Sequence, residues 1–351
     1  MKYLSLFSGI GGFELGIKQA YELQKVATES EDSPNDSGRT PQHSERPLCV
    51  GFSEIDKYAV QIYQQHFPEH KNYGDITKIN AETLPDFDLL VGGFPCQSFS
   101  IAGKRGGFDD TRGTLFFEIA RICKDKKPRA ILLENVKGLL SHDNGNTFKT
   151  IIATLDDLGY DLQWQVLNSK NFGVPQNRER VFIIGHLRGT SRPEVFPFAK
   201  ISGRISEQDS GLRGEVYGNE EGGDKSDANG KILQAEFNRP LHYVGAVMSE
   251  RNKQWLEDGK QLSRNFPQGQ RVYGVDGIAT TIASQAGGLG AKTGLYENEK
   301  TKIRRLTPTE CERLQGFPDG WTEGVSDTQR YKCLGNAVTV NVIKEIVKHL
   351  L

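Results

Sequence analysis

Tyr3-Leu4-Ser5-Leu6-Phe7, Ser8-Gly9-Ile10-Gly11-Gly12 and Phe13-Glu14-Leu15-Gly16-Ile17 follow one another as an apolar run, a glycine turn and a helical pattern. Strand, glycine turn and helix together make a nucleotide site, because glycines let the backbone approach a ligand at a helix N-terminus. The alternative is a glycine turn that serves packing alone. The same alternation recurs downstream. Leu48-Cys49-Val50-Gly51-Phe52 reads as a second strand, closed by Ser53-Glu54. A carboxylate at that point is where a ribose diol is held. Residues 28–47, rich in Ser, Glu, Asp, Pro and Asn, read as a solvated insertion. A helix is expected over Ile55 to Phe67, and Tyr73-Gly74-Asp75-Ile76 closes a short third strand. Asp75 accepts a hydrogen bond from an exocyclic amine or is ordinary turn chemistry.

Phe87-Asp88-Leu89-Leu90-Val91 is a further buried strand, and Gly92-Gly93-Phe94-Pro95-Cys96-Gln97-Ser98-Phe99-Ser100 follows it. Pro95 fixes one dihedral and lacks an N–H. Cys96, held at a strand end, is a candidate nucleophile if its proton is removed; the alternative is a structural thiol in a tight turn. Ala102-Gly103-Lys104-Arg105-Gly106-Gly107-Phe108 is glycine-rich and basic, a lid over an anionic substrate or a solvated loop. A helix is expected over Gly113 to Cys123, then a strand over Arg129-Ala130-Ile131-Leu132-Leu133, ending in Glu134-Asn135-Val136. Burial of that carboxyl favours its neutral form, which suits a general acid or a donor to a ring nitrogen. A helix cap or a salt bridge is the other reading. Gln176-Asn177-Arg178-Glu179-Arg180 enters the strand Val181-Phe182-Ile183-Ile184-Gly185. Arginines there anchor a phosphate or a carbonyl oxygen, or pair with a carboxylate. Strands alternating with helices make an α/β sheet with ligands at the carboxyl ends of its strands.

The 351 residues carry a formal net charge of -1, so any nucleic-acid contact comes from a local cleft. The five cysteines are odd in number and include no Cys-x-x-Cys pair, which argues against a disulfide scaffold or a zinc site. With no metal site, no signal peptide and no bilayer-spanning run read from the sequence, a cytoplasmic protein without membrane contact is expected. From about Leu187 glycine and polar residues increase, and 187–300 reads as a smaller lobe of irregular and β structure. Thr307, Pro308 and Glu310 start a helix with a capping box, and an apolar-periodic helix runs to Leu350.

In this order the segments Phe7 to Gly12, Glu54, Gly74-Asp75-Ile76, Gly93 to Ser100, Glu134-Asn135-Val136, Gln176 to Arg180 and Gly335-Asn336-Ala337-Val338 resemble the DNA (cytosine-5)-methyltransferases, over nearly the whole chain apart from 28–47 and the variable lobe. The resemblance implies a doubly wound, Rossmann-like S-adenosylmethionine-dependent methyltransferase domain of class α/β. A smaller irregular and β target-recognition domain accompanies it. The expected division is 1–186 plus 330–351 for catalysis, 187–300 for target recognition and 301–329 as a connecting hinge. It further implies transfer of a methyl group to C5 of a flipped-out cytosine in a short duplex sequence, leaving S-adenosyl-L-homocysteine. Cys96 is the implied nucleophile, with Glu134 at N3, Arg180 at O2 and Arg178 in positioning or phosphate contact. Phe7, Gly9, Gly11, Gly12, Glu54, Ile55, Asp75, Ile76, Pro95, Asn336 and Val338 are the implied donor contacts. Ser5 and Ile55 depart from the common pattern, which has Asp and Trp there.

For double-stranded DNA the expected contacts are Gln97, Ser100, Lys104, Arg105, Gln268, Arg271 and Thr281, of which Gln268 and Arg271 are surface polar residues on the plainer reading. Arg271 is placed to read guanine and Gln268 to fill the gap left by the flipped base. The bacterial members imply a monomer associated with the nucleoid through DNA, either orphan or acting beside an independent restriction endonuclease. Three rivals stand against this. A transfer-RNA cytosine-5 methyltransferase would show a Cys-Phe-Thr tripeptide, and Cys311 is followed by Glu312. A catalytically silent DNA-binding homologue fits poorly with intact Cys96, Glu134 and Arg180. A nicotinamide oxidoreductase would show the full Gly-x-Gly-x-x-Gly spacing.

Overall fold

Leu4 and Leu6 leave the first strand on one side, Tyr3 and Ser5 on the other, and all four are buried. A strand buried on both faces belongs inside a sheet covered from both sides. That is the arrangement in the computed structural model, which describes residues 1–31, 46–95, 115–190, 193–196, 243–246, 271–274, 278–283, 293–297 and 303–350. The described residues fall into two units, one within Met1–Leu167, Glu179–Lys225 and Val342–Leu351, the other within Asn168–Arg178 and Ser226–Asn341.

The first unit is built on β1 (Lys2–Leu6), β2 (Leu48–Ser53), β3 (Leu89–Gly93), β4 (Ala130–Val136), β5 (Tyr160–Asn168) and β6 (Glu179–Leu187), in the order β2-β1-β3-β4-β6-β5. β1 pairs parallel with β2 and β3, β3 parallel with β4, and β6 antiparallel with β4. Leu4, Leu6, Leu90, Ile131 and Leu133 form one core with Phe116, Ile119 and Ile122 of α3 (Leu115–Lys126) and Ile151, Ile152 and Leu155 of α4 (Asn146–Asp157). On the opposite face α1 (Gly12–Glu31) brings Glu14 to Ser5, and α2 (Lys57–His66) stacks Tyr63 on Phe52 at 3.8 Å. Gly16 of α1 has no side chain for a reason: a Cβ there would lie 2.7 Å from Ile343 in α7 (Val340–Lys348). Helices on both faces make the sheet doubly wound.

In the second unit β7 (Tyr243–Ala246), β8 (Arg271–Gly274), β9 (Leu295–Glu297) and β10 (Ile303–Arg304) form a sheet in the order β10-β9-β8-β7. α5 (Pro308–Gln315) starts at the expected capping box, the Thr307 hydroxyl accepting from the Glu310 N–H and Glu310 reaching back to the Thr307 N–H. α6 (Asp327–Asn336) follows, and the buried Glu312 carboxylate meets Arg330 at 3.0 Å.

Several expectations change. The third strand over 73–76 is a single bridge between Phe52 and Asn72; beyond it Asp75 caps a short helical turn, Ile76–Lys78, because its carboxylate takes the Thr77 N–H and hydroxyl. Residues 28–31 continue α1, so only 32–45 of the insertion lie outside the described residues. Within the lobe expected to hold irregular and β structure, residues 278–282 contribute a single bridge, Gln176 to Ala279. The unit boundaries differ from the expected division in placing 168–178 and 330–341 with the second unit, where Ser169 bonds Thr339 and Arg178 bonds Gly335 and Ala337.

Candidate active site

Register aligns the strand ends. Leu6 pairs with Ser53 and with Gly92, and Gly93 pairs with Glu134, so four parallel strands finish at one edge of the sheet. Crevices for ligands form beyond that edge. Phe7 leaves β1 at φ 54°, a left-handed conformation that costs a residue with a Cβ and clusters at ligand sites. Gly9 is at φ 55°, and a Cβ added there would meet nothing within 4 Å, so the loop presents open backbone. Gly12 is buried as the first residue of α1. Glu54, one residue past β2, is held by three backbone donors: the Gly9 N–H at 3.0 Å to Oε2, and the Ile55 and Asp56 N–H groups at 2.8 Å to Oε1. Ile55 beside it is 75% exposed, a large apolar surface at the rim.

Asn72 is a residue the sequence reading missed. Its Oδ1 accepts from the Gly74 N–H at 2.8 Å and its Nδ2 donates to the Glu54 carbonyl at 3.2 Å, tying the Glu54 and Asp75 segments together. Asp75 is half-buried, and hydrogen bonds from Thr77 hold its carboxyl below the usual carboxylate range. Ile76 turns into the core, and its carbonyl accepts from Arg121.

Glu134 sits within β4 with its side chain only 10% exposed, and the Arg180 Nε reaches its Oε1 at 3.0 Å. The next residue, Asn135, donates from Nδ2 to the Phe94 carbonyl at 2.8 Å, pinning the backbone two residues before Cys96. Nothing in the sequence pattern marks Asn135 for that task except its place after Glu134. Pro95 is exposed and is the last described residue before 115. Cys96, Gln97, Ser100, Lys104 and Arg105 therefore lie outside the described residues, as does Gln268.

The other four cysteines are free thiols and unsuited to attack. Burial pushes Cys49, Cys123 and Cys311 up to about 12, and Cys333 is buried. A thiol without its thiolate is a poor nucleophile.

In the second unit Arg178 is 2% exposed. Its guanidinium donates to the carbonyls of Ile282, Gly335 and Ala337 at 3.2, 3.1 and 2.8 Å. These three bonds commit the guanidinium to the protein's own backbone. It braces both neighbours of Asn336, which is exposed; Val338 is buried. The Thr281 hydroxyl donates to the Asn177 carbonyl at 2.5 Å. Arg271 opens β8.

A family model described as C-5 cytosine-specific DNA methylase matches residues 1–351. The chain is 35% identical over 356 residues to the type II methyltransferase M.HhaI of Haemophilus parahaemolyticus, covering 100% of this chain and 94% of that protein. It is 36% identical over 353 residues to M.NlaX of Neisseria lactamica, covering 99% and 96%. The solved structure of the S. pombe Dnmt2 methyltransferase shares the fold at TM-score 0.61 and 18% identity, covering 100% of this chain and 98% of that one. Matched over its whole length by that family model, the chain belongs to the C-5 cytosine-specific DNA methylases.

Proposed function

We propose that this DNA cytosine-5 methyltransferase uses S-adenosyl-L-methionine as donor, duplex DNA as acceptor and Cys96 as nucleophile. The observation that carries the reading is the Glu134–Arg180 pair at the strand edge, with Asn135 fastening the Phe94 carbonyl that leads to Cys96. The donor supplies an electrophilic methyl on sulfonium. The residues fit it: Glu54 is preset by three N–H groups to accept a ribose diol, Gly9 leaves room, and Ile55 offers an apolar face to a base.

Cytosine C5 is too weak a nucleophile to take that methyl unaided. The Cys96 thiolate bonds to C6, breaking the C5–C6 double bond and moving its electron pair toward N3 and O2. A proton at N3 from Glu134 and the Arg180 charge near O2 stabilise the developing charge where it appears. C5, now enamine-like, bonds to the methyl carbon, and the methyl–sulfur bond breaks. Removal of the C5 proton by a base returns the electron pair to C5–C6 and expels the thiolate. A stacked base exposes neither face to a thiolate, so the cytosine leaves the helix, with Lys104 and Arg105 as candidate phosphate contacts. A monomer acting beside an independent endonuclease suits the type II relatives.

Labelled methyl from S-adenosyl-L-methionine should appear at C5 of cytosine in duplex DNA, and bisulfite sequencing of DNA from expressing cells should give one short site. A protein that binds the donor and labels no DNA overturns the reading. Glu54→Gln should raise the donor KM by roughly tenfold or more, since a hydrogen bond to a charged group contributes about 1.5–3 kcal/mol. Its kcat at saturating donor should stay near the parent value; an unchanged KM removes Glu54 from donor binding.

A further inference from the structure

Behind the glycine loop lies a buried polar chain for which the reaction above has no use. Ser8, between Phe7 and Gly9, donates from its hydroxyl to Ser5 Oγ at 2.8 Å inside the protein. Ser5 in turn hydrogen-bonds the Glu14 carboxyl, which sits in the first turn of α1 and is 1% exposed. From α2 the Tyr63 hydroxyl donates to Glu14 Oε1 at 3.0 Å and meets His70 Nδ1 at 2.9 Å. The Tyr63 hydroxyl thus links Glu14 to His70. The His70 ring stacks on Phe67 at 5.1 Å, and Phe67 occupies the space a Cβ on Gly11 would need, at 2.7 Å. The chain thus touches the loop at both ends, through Ser8 and through Gly11. It also joins α1, which follows the loop, to α2, which follows Glu54.

We propose that Glu14 is a positioning residue for the methyl-donor pocket: through Ser5–Ser8 on one side and Tyr63–His70–Phe67 on the other it sets the glycine loop against the Glu54 arm, and its protonation state tunes donor affinity. The inference rests on the donor pocket proposed above. Burial is the main reason the Glu14 carboxyl is raised from 4.5 to about 7, against hydrogen bonds from Ser5, its own backbone N–H and Tyr63 that pull it down. The other titratable groups facing it are Tyr3 on β1 and Cys49 on β2, both raised mainly by burial, with Arg46 acting on Tyr3 and His70. None of these supplies Glu14 with a positive partner. An ionised Glu14 is therefore a desolvated charge held only by two hydroxyls and its own backbone N–H, and relief comes by parting the seam that shapes the loop. Donor binding favours the closed seam and the neutral carboxyl.

Donor affinity, measured by calorimetry with S-adenosyl-L-methionine, should weaken as pH rises through about 7. A loss of roughly threefold to tenfold corresponds to a carboxyl pKa moved by about half to one unit on binding. The donor's α-amino group titrates nearby, so the reading is the difference between the parent and Glu14→Gln, in which this component should vanish. Tyr63→Phe removes a bond that lowers the Glu14 pKa and should move the midpoint to higher pH, which a merely structural loss would not do. Stability gives a second readout. A carboxyl raised on folding stabilises fully below its unfolded pKa, and that contribution is lost as pH rises from 4.5 to about 7. Glu14→Gln should flatten this slope. Identical pH profiles in the parent and Glu14→Gln, with donor bound by both, overturn the inference. A parent that binds no donor at any pH overturns the pocket reading instead.

Discussion

Replacing Cys96 by Ser is expected to lower methyl transfer by at least about a thousandfold, on the order of 4 kcal/mol of barrier, with duplex DNA still bound. A serine hydroxyl is scarcely ionised near neutral pH, whereas a thiolate is both accessible and strongly nucleophilic. The substitution changes one atom and leaves the Glu134–Arg180 pair and the Asn135 clamp untouched. Single-turnover transfer of labelled methyl measures the loss. DNA carrying 5-fluorocytosine at the target position should trap the parent protein covalently, because fluorine does not leave as a cation, and should not trap the variant. Cys123→Ser and Cys311→Ser serve as controls; burial keeps both thiols protonated, near 12, so neither should change trapping in folded protein. Turnover retained by the Cys96 variant would remove the thiolate step from the mechanism.

The second large effect is at Glu134. Glu134→Gln keeps the volume and a carbonyl oxygen for the Arg180 Nε now 3.0 Å from the carboxylate, but has no acidic proton for N3. A drop in kcat of about 10² to 10⁴ is expected, the range for a missing general acid, with little change in Tm. Glu134→Ala should behave differently. It leaves the Arg180 guanidinium, 16% exposed, without its carboxylate, and breaking such a pair costs roughly 3–5 kcal/mol. Rate and stability should then fall together. If Gln and Ala variants lose the same stability and Gln retains full rate, Glu134 acts only as a strut for Arg180.

These effects were legible from the chain to differing degrees, for physical reasons. Short apolar runs, glycine punctuation and the Thr307-Pro308-x-Glu310 spacing are local signals, and they located β1, β2, β3, β4 and the capping box. Asp75 was misplaced because a strand end and a helical cap share the same residue types; only the Thr77 bonds separate them. Arg178 stands just before β6 and Arg180 is its second residue, yet one faces carbonyls and the other a carboxylate. The acceptors of Arg178 lie more than a hundred positions along the chain, while Asn135 clamps Phe94 across 41 positions, and neither separation is visible in a local pattern. The Glu14 chain was illegible because an acid in the first turn of a helix is ordinary capping chemistry, and its partners come from β1, α2 and the segment after it.

Arg178 carries a consequence for how the protein is made. Its carbonyl partners at Gly335 and Ala337 lie 157 and 159 residues further along the chain. At ribosomal rates of about 5–20 residues per second, roughly 10–30 s pass between synthesis of the arginine and of its acceptors. Until then its charge stays in water, and the second unit cannot close around it. The sheet of β1 to β4 has its strands by residue 136, so the nascent chain holds a formed half and a waiting half. Synonymous slowing of translation after Arg178 should lengthen that wait and raise the share of chain lost to aggregation or chaperone capture.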